Sequence, residues 1–216
     1  MNIAIIGSGN VGQQLAKDLA QRGHSVTIGT RDPAKLAEFK LTAPDVQIGS
    51  NSDAAIHGEI VLLATGWSGT HNALELAGVT QLVGKIVVDI TNPLDFSSGK
   101  PALALGWNTS AGEQVQAWLP QSHVVKALNI VTAAAMMNPQ SLVGGSPDMF
   151  IAGNDAGAKQ TISAWLAGVG WGIVDLGDIT QSRLLEPLAM IWIQHGFNNG
   201  WKISNHAFKL LNKNGS

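Results

Sequence analysis

Near the start of the chain, Gly7-Ser8-Gly9-Asn10-Val11-Gly12 carries the spacing G-x-G-x-x-G. In a strand-to-helix turn each glycine has a physical task. Gly7 permits the tight turn, Gly9 lets the backbone approach a pyrophosphate, and Gly12 lets helix and strand pack closely. The helix N-terminus that follows offers unpaired N–H groups and a partial positive charge to phosphates. Glycine is common here, 25 of 216 residues, so context must decide whether the spacing means anything. The context is the required one. Ile3-Ala4-Ile5-Ile6 is continuously apolar, as a strand buried on both faces should be, and Val11, Leu15 and Leu19 recur at helical spacing. Dinucleotide binding is expected; the bland alternative is a glycine-rich turn that binds nothing.

The next strand, read as Ser25–Gly29, ends in Thr30-Arg31-Asp32-Pro33, with Lys35 a helical turn beyond. An NAD site usually has an acid here, about 20 residues after the loop, on the ribose hydroxyls. A hydroxyl, a guanidinium and an ammonium instead suit the 2′-phosphate of NADP, and Arg31 can also stack on adenine. Asp32 dissents, since it could serve the ribose of NAD. NADP is the expected cofactor, with Thr30, Arg31 and Lys35 around the phosphate.

Residues after later strands should line the other half of the cofactor. They are Thr65-Gly66-Trp67 after Ile60–Ala64, Ile90-Thr91-Asn92-Pro93 after Lys85–Asp89, and Leu128-Asn129 after Val124–Ala127. Each has a plain alternative: Trp67 as core, Asn92-Pro93 as a turn, Asn129 as a buried amide. An alcohol dehydrogenase needs a positioned acid or base, because a proton moves with the hydride. Tyr is absent, and His24, His57, His71, His123, His195 and His206 are scattered, none beside a convincing carboxylate. No H-x-x-x-H pair suggests a metal site, so none is expected. Lys126 lies in a buried strand and is not read as a base. Transfer from NADPH to a flavin-like ring would explain so few acid–base groups, because redox cofactors carry the difficult chemistry themselves. The alternatives are a short hydroxy-acid or imine dehydrogenase, which usually needs a longer helical domain, and a non-catalytic NADP-binding sensor or subunit.

These residues need elements to hold them, and strands alternate with helices along the chain. Helices are expected over Ala34–Lys40, from an Asn51 cap to His57, near Asn72–Ala77, over Ala111–Trp118 and after Asp155. Further strands are expected at Val46–Ile48, Met149–Ala152 and Gly172–Asp175. The pattern implies an α/β fold with a doubly wound, mostly parallel Rossmann-type sheet over residues 1–180. A helical segment, 181–216, carries Leu184, Leu185, Leu188, Ile191, Trp192 and Trp201. Its stretch around Leu188–Ile193 is apolar nearly all round, which favours a homodimer.

Hydrophobic residues, 45% of the chain, suffice for a core, and Lys+Arg 13 against Asp+Glu 15 leaves −2, too little positive charge for nucleic acid. The absence of cysteine excludes disulfides and thiolate metal sites and fits the cytoplasm. No apolar run approaches the roughly 18 residues of a membrane helix. The opening Met1-Asn2-Ile3-Ala4-Ile5-Ile6 does not read as a targeting segment.

The loop Gly7–Gly12, the tip Gly29-Thr30-Arg31, the strand Val124-Val125-Lys126-Ala127-Leu128-Asn129 and the segment Ser182-Arg183-Leu184-Leu185-Glu186 together resemble the F-420-dependent NADP oxidoreductases. The resemblance spans nearly the whole chain, and extends to the reductase domain of the six-helix metalloreductases, which passes hydride to a flavin. It implies hydride transfer between NADP and a deazaflavin, with coenzyme F-420, FMN or FAD as the partner cofactor. By matching position, Ser8, Asn10 and Val11 would contact the pyrophosphate, and Thr65 and Trp67 would lie near ribose and nicotinamide. Asn92, Leu128 and Asn129 would face the rings. The chain departs from the family at Asn129, where those enzymes carry His, and at Ala133-Ala134-Ala135-Met136-Met137.

Overall fold

The computed structural model describes residues 1–200 and 206–211. In chain order the elements begin β1 (Asn2–Ile6), α1 (Asn10–Gln21), β2 (Ser25–Gly29), α2 (Ala37–Thr42), β3 (Gln47–Gly49), α3 (Asn51–His57), β4 (Ile60–Leu63), α4 (Trp67–Ala77) and β5 (Ile86–Asp89). A small hairpin follows, β6 (Leu94–Asp95) with β7 (Ala102–Leu103), and then α5 (Ala111–Trp118), β8 (His123–Lys126) and α6 (Ala133–Met136). The chain closes with β9 (Asp148–Gly153), α7 (Ala156–Val169), β10 (Gly172–Asp175) and α8 (Ser182–Asn198).

The main sheet runs β10-β9-β8-β5-β4-β1-β2-β3. Side chains alternate across it, so each face has its own core. Ile3 and Ile5 pack with Leu15, Leu19, Met136 and Ile162 on one face, and Ala4 and Ile6 with Ala55, Leu74 and Val115 on the other. Six strands, β3 to β8 in that order, are parallel. The chain leaves β1 toward β2 on one side and returns as β4 on the other, which opens a crevice above their carboxyl ends.

The structure departs from the sequence pattern at several elements. Parallel pairing stops at β8: β9 runs antiparallel to it, and β10 follows β9. The 127–147 connection makes only the one-turn α6 and a 3-10 turn, Pro139–Ser141, so the chain turns back without a full crossover. The helix expected near Asn72 begins earlier, at Trp67, with Gly66 as its cap; its first turn, Trp67-Ser68-Gly69-Thr70, carries no apolar period that the sequence could reveal. The expected helix 34–40 splits into a 3-10 turn, Pro33–Leu36, and α2. The cap of α3 is Ser50, not Asn51: Ser50 Oγ accepts from the Asp53 N–H at 3.1 Å and Asp53 Oδ2 accepts from the Ser50 N–H at 2.9 Å. Asn51 instead turns inward and donates to the Ala73 carbonyl.

The helical signal after Ser182 stops at Asn198, and Trp201 lies outside the described residues. Residues 206–211 are not helical. They fold back on β9, where Asp148 accepts from Lys209 Nζ and from the Leu210 N–H, both at 2.7 Å. Leu185 and Ala189 of α8 are buried in the domain, whereas Leu184, Ile191 and Phe197 are exposed.

Candidate functional site

The glycines of the loop divide by what surrounds them. Gly7 has φ +120°, and a Cβ there would lie 2.5 Å from the Ala64 carbonyl oxygen. A Cβ on Gly12 would lie 1.9 Å from the Gly7 carbonyl oxygen. Gly9, by contrast, has nothing within 4 Å, so the space above it is open. Gly9 is also the N-cap of α1 and supplies no side-chain cap, so the first N–H groups of the helix have no capping side chain among the described residues.

A cavity of about 220 Å³ extends from this loop and is lined by Gly7, Ser8, Gly9, Thr30, Arg31 and Asn51, among others. Ser8 Oγ donates to Thr30 Oγ1 at 3.0 Å, fastening the loop to the tip of β2. Arg31 is exposed and has no side-chain partner among the described residues. Asp32 caps the next turn, its Oδ1 accepting from the Ala34 N–H, and Lys35 lies 3.8 Å from its other oxygen. Asn10, Gly12 and Lys35 do not line the cavity. Gly12 is buried in the turn, while Asn10 and Lys35 are exposed.

Ala64, Thr65 and Gly66 are shared with a second cavity of about 340 Å³, which brings Val11, Trp67, Asn92, Leu128 and Asn129 together. Trp67 stands at the first turn of α4, its ring stacked on Trp118 of α5 at 5.5 Å. Leu128 is fully buried at φ +63°, an unusual conformation for a γ-branched residue. Thr91, Phe96, Val131 and Met136 are also in the wall. None of the described residues lining this cavity is ionisable: it holds no Asp, Glu, Lys, Arg, His or Tyr. Contrary to the sequence reading, two histidines do have carboxylate neighbours, His71 with Glu75 at 4.0 Å and His123 with Asp155 at 3.5 Å, but neither lines either cavity.

The polar side of the second cavity is two interlocked amides. Asn92 Nδ2 donates to the Asn129 carbonyl at 2.8 Å, and Asn129 Nδ2 donates to Asn92 Oδ1 and to the Leu185 carbonyl, both at 3.0 Å. The reverse amide orientation would set the Asn129 oxygen against two other acceptors. Asn129 Oδ1 is therefore left as a buried acceptor without a protein partner, although Asn129 is only 5% exposed. A buried orphan of this kind is costly and calls for a donor.

Beneath this wall lies a fully buried ammonium. Lys126 Nζ donates to Asp89 Oδ2 at 2.9 Å and to the Thr91 carbonyl at 2.6 Å, and pairs with Glu186 Oε1 at 3.0 Å. Burial alone would lower its pKa; Asp89 and then Glu186 more than offset that and hold it above the ordinary lysine value, so it stays charged. Glu186 also accepts the Ala111 and Gly112 N–H groups at the start of α5. Asp89 Oδ1 accepts from both the N–H and the hydroxyl of Thr91. Asp89 was not singled out from the sequence, and Glu186 stood there only as the end of the Ser182–Glu186 segment, without a role. An acid two residues before Thr91 is a local signal for such a turn, whereas nothing local pairs Glu186 with a residue 60 positions away.

The site now has a geometry that known proteins can be set against. A family model described as coenzyme F420-dependent NADP oxidoreductase matches residues 2–93. A crystal structure from Arthrobacter sp. FB24, provisionally described as an F420-dependent NADP-reductase, is 41% identical with a TM-score of 0.93, covering 98% of this chain and 100% of its own. The chain belongs to the F420-dependent NADP oxidoreductase family. It is an oxidoreductase of the NADP-dependent kind. The F420-dependent NADP reductase of Methanothermobacter marburgensis is 26% identical over 98% of this chain and 99% of its own length. Metalloreductase STEAP3 of Rattus norvegicus is 29% identical over 87% of this chain, a match that spans only 36% of that protein. No described helix of this family member is long and apolar enough to cross a membrane.

Both cavities fit the cofactor that the family implies. The open space above Gly9 would take a pyrophosphate, and Asn129, whose side-chain oxygen has no donor among the described residues, lies in the wall of the second cavity.

Proposed function

We propose that this chain transfers hydride between NADPH and a flavin or deazaflavin ring, coenzyme F-420 or FMN or FAD. The observation that carries the reading is the second cavity, apolar on most sides, with an amide pair and no ionisable group among the described residues. Hydride transfer between two such rings moves two electrons and one proton together, and water supplies the second proton that the reduced acceptor takes up. The protein is then asked only to bind and orient the two rings.

In this reading the uncapped start of α1 and Gly9 hold the pyrophosphate, with Ser8, Asn10 and Val11 beside it. Thr30, Arg31 and Lys35 surround the 2′-phosphate. Thr65 lies by the ribose, and Trp67 and Leu128 flank the rings. Asn92 and Asn129 fix ring orientation, Asn129 Oδ1 accepting one N–H. The exposed Leu184, Ile191 and Phe197 of α8 support a homodimer formed through that helix, which sedimentation would test. The absence of cysteine supports a cytoplasmic setting.

The test is anaerobic: NADPH oxidation followed by absorbance, with coenzyme F-420, FMN, FAD and riboflavin offered in turn and NADH as control donor. Turnover with at least one ring, and a preference for NADPH, is expected. NADPH binding with no turnover on any of the four would make the chain a binding subunit instead. Oxidation only with a keto acid or an imine would make it a dehydrogenase.

A further inference from the structure

We propose that Lys126 is a positioning residue for the ring cavity: it fixes the Thr91 carbonyl, and with it the Thr91-Asn92 backbone from which the Asn92–Asn129 amide pair is built. The proposal rests on the reading above that the second cavity receives the nicotinamide.

The donor count is the first argument. An ammonium has three protons, and Lys126 has three acceptors: the Asp89 carboxylate, the Glu186 carboxylate and the Thr91 carbonyl. The shortest of these, 2.6 Å, is to the neutral carbonyl and not to either charge. A buried ion pair kept for stability alone is replaceable, and apolar residues of similar volume often do as well or better. What an apolar residue cannot do is hold a carbonyl in one orientation.

The acceptors of Lys126 lead to the cavity wall. Thr91 lines the cavity and is gripped twice, its carbonyl by Lys126 and its N–H and hydroxyl by Asp89, which Lys126 also holds. Asn92 comes next and engages Asn129 in both directions. Glu186 is the neighbour of Leu185, whose carbonyl takes the other Asn129 proton. Every strut of the amide pair therefore traces back to one ammonium, and α8 joins the site through two consecutive residues.

The test compares ligands that reach different distances into the crevice. The probe 2′,5′-ADP occupies only the adenosine half, whereas NADPH places its ring in the cavity, where removal from water should raise its fluorescence. Lys126→Met and Glu186→Gln are measured for affinity to both ligands, for fluorescence of bound NADPH, for melting temperature and for kcat on whichever acceptor the unaltered protein reduces. We expect 2′,5′-ADP affinity within about twofold of the parent, loss of the fluorescence rise, and a kcat about ten- to a hundredfold lower, the scale of an ångström-level misplacement. Unchanged fluorescence and kcat in both variants would overturn the proposal. If Lys126→Met fails to fold, Glu186→Gln decides alone, because it keeps the shape of the side chain. A uniform loss in that variant, with 2′,5′-ADP and NADPH affinity falling together with the melting temperature, also overturns it. Should the parent show the fluorescence rise but reduce no acceptor, the acceptor reading fails while the fluorescence comparison still judges Lys126.

Discussion

The two halves of the crevice are built on opposite principles. The adenosine half is made of backbone and exposed charge: an open glycine, an uncapped helix start, and Arg31 free at the surface. The ring half is made of side chains from segments far apart, Trp67, Thr91–Phe96, Leu128–Met136 and the support from α8. Its lining has no ionisable group among the described residues, yet a charged network lies directly beneath it. Affinity can thus be altered in the first half without disturbing the fold. In the second half, orientation and stability share the same hydrogen bonds.

The sharpest way to break this comparison lies within the loop itself. Gly12→Ala places a methyl 1.9 Å from the Gly7 carbonyl, a contact with rigid backbone that no rotamer relieves. A loss of about 3 kcal/mol or more is expected, at the upper end of overpacking costs, and is read from chemical denaturation of the protein without ligand. Gly9→Ala meets nothing within 4 Å. It should leave that stability within a few tenths of a kcal/mol and weaken NADPH binding at least tenfold, because the clash exists only when a phosphate is present. If both variants lose stability equally, the open cradle is not open.

These glycines also mark how far a linear reading reaches. A turn that needs positive φ at Gly7 and contact at Gly12 must be written within six consecutive residues, so it is visible in them. The parallel core of the sheet was legible for the same reason, since βαβ units are local in the chain. The reversal at β9 was not, because alternation of strand and helix says nothing about which way a strand enters the sheet. Nor were Asp89, Glu186 and Asn51 as partners, since each acquires its role from a residue brought to it by folding. Lys126 could be read as buried but not as paired. The ring half is a tertiary product, and its residues looked like ordinary turn and core positions.

Two substitutions of intermediate size should cross over. Arg31→Ala removes an exposed side chain that no described residue engages, so stability should not change. A charge-assisted contact contributes roughly 1.5–3 kcal/mol, so NADPH affinity should fall about ten- to a hundredfold while NADH affinity stays. Equal loss for both would remove the 2′-phosphate assignment. Asn129→Ala should do the reverse. It strands Asn92 Oδ1 and the Leu185 carbonyl, a stability loss of about 1–3 kcal/mol, and lowers turnover, with 2′,5′-ADP affinity unchanged. If Asn129→Ala leaves stability intact, the amide pair does not brace the ring half.

The smallest expected effect concerns how α8 is held. Glu113 of α5 accepts from Arg183 in the first turn of α8, at 2.8 Å to Nε, and from Ser110 Oγ at 2.7 Å. The Arg183 hydrogen bonds, with help from Ser110, hold the Glu113 carboxyl below the ordinary glutamate range despite partial burial. A folded-state pKa below the unfolded one adds stability that is present above the unfolded value and fades as pH falls through the folded one. The melting temperature of Glu113→Gln should therefore lie slightly below that of the parent at neutral pH, and the gap should close on acidification below about pH 4.3, the usual glutamate value. Because α8 braces only the ring half, turnover should weaken over that acid range before 2′,5′-ADP binding does. A gap that stays constant down to pH 3 would mean that the ion pair does not fasten α8, and that Leu185 and Glu186 are held in place by burial of the helix alone.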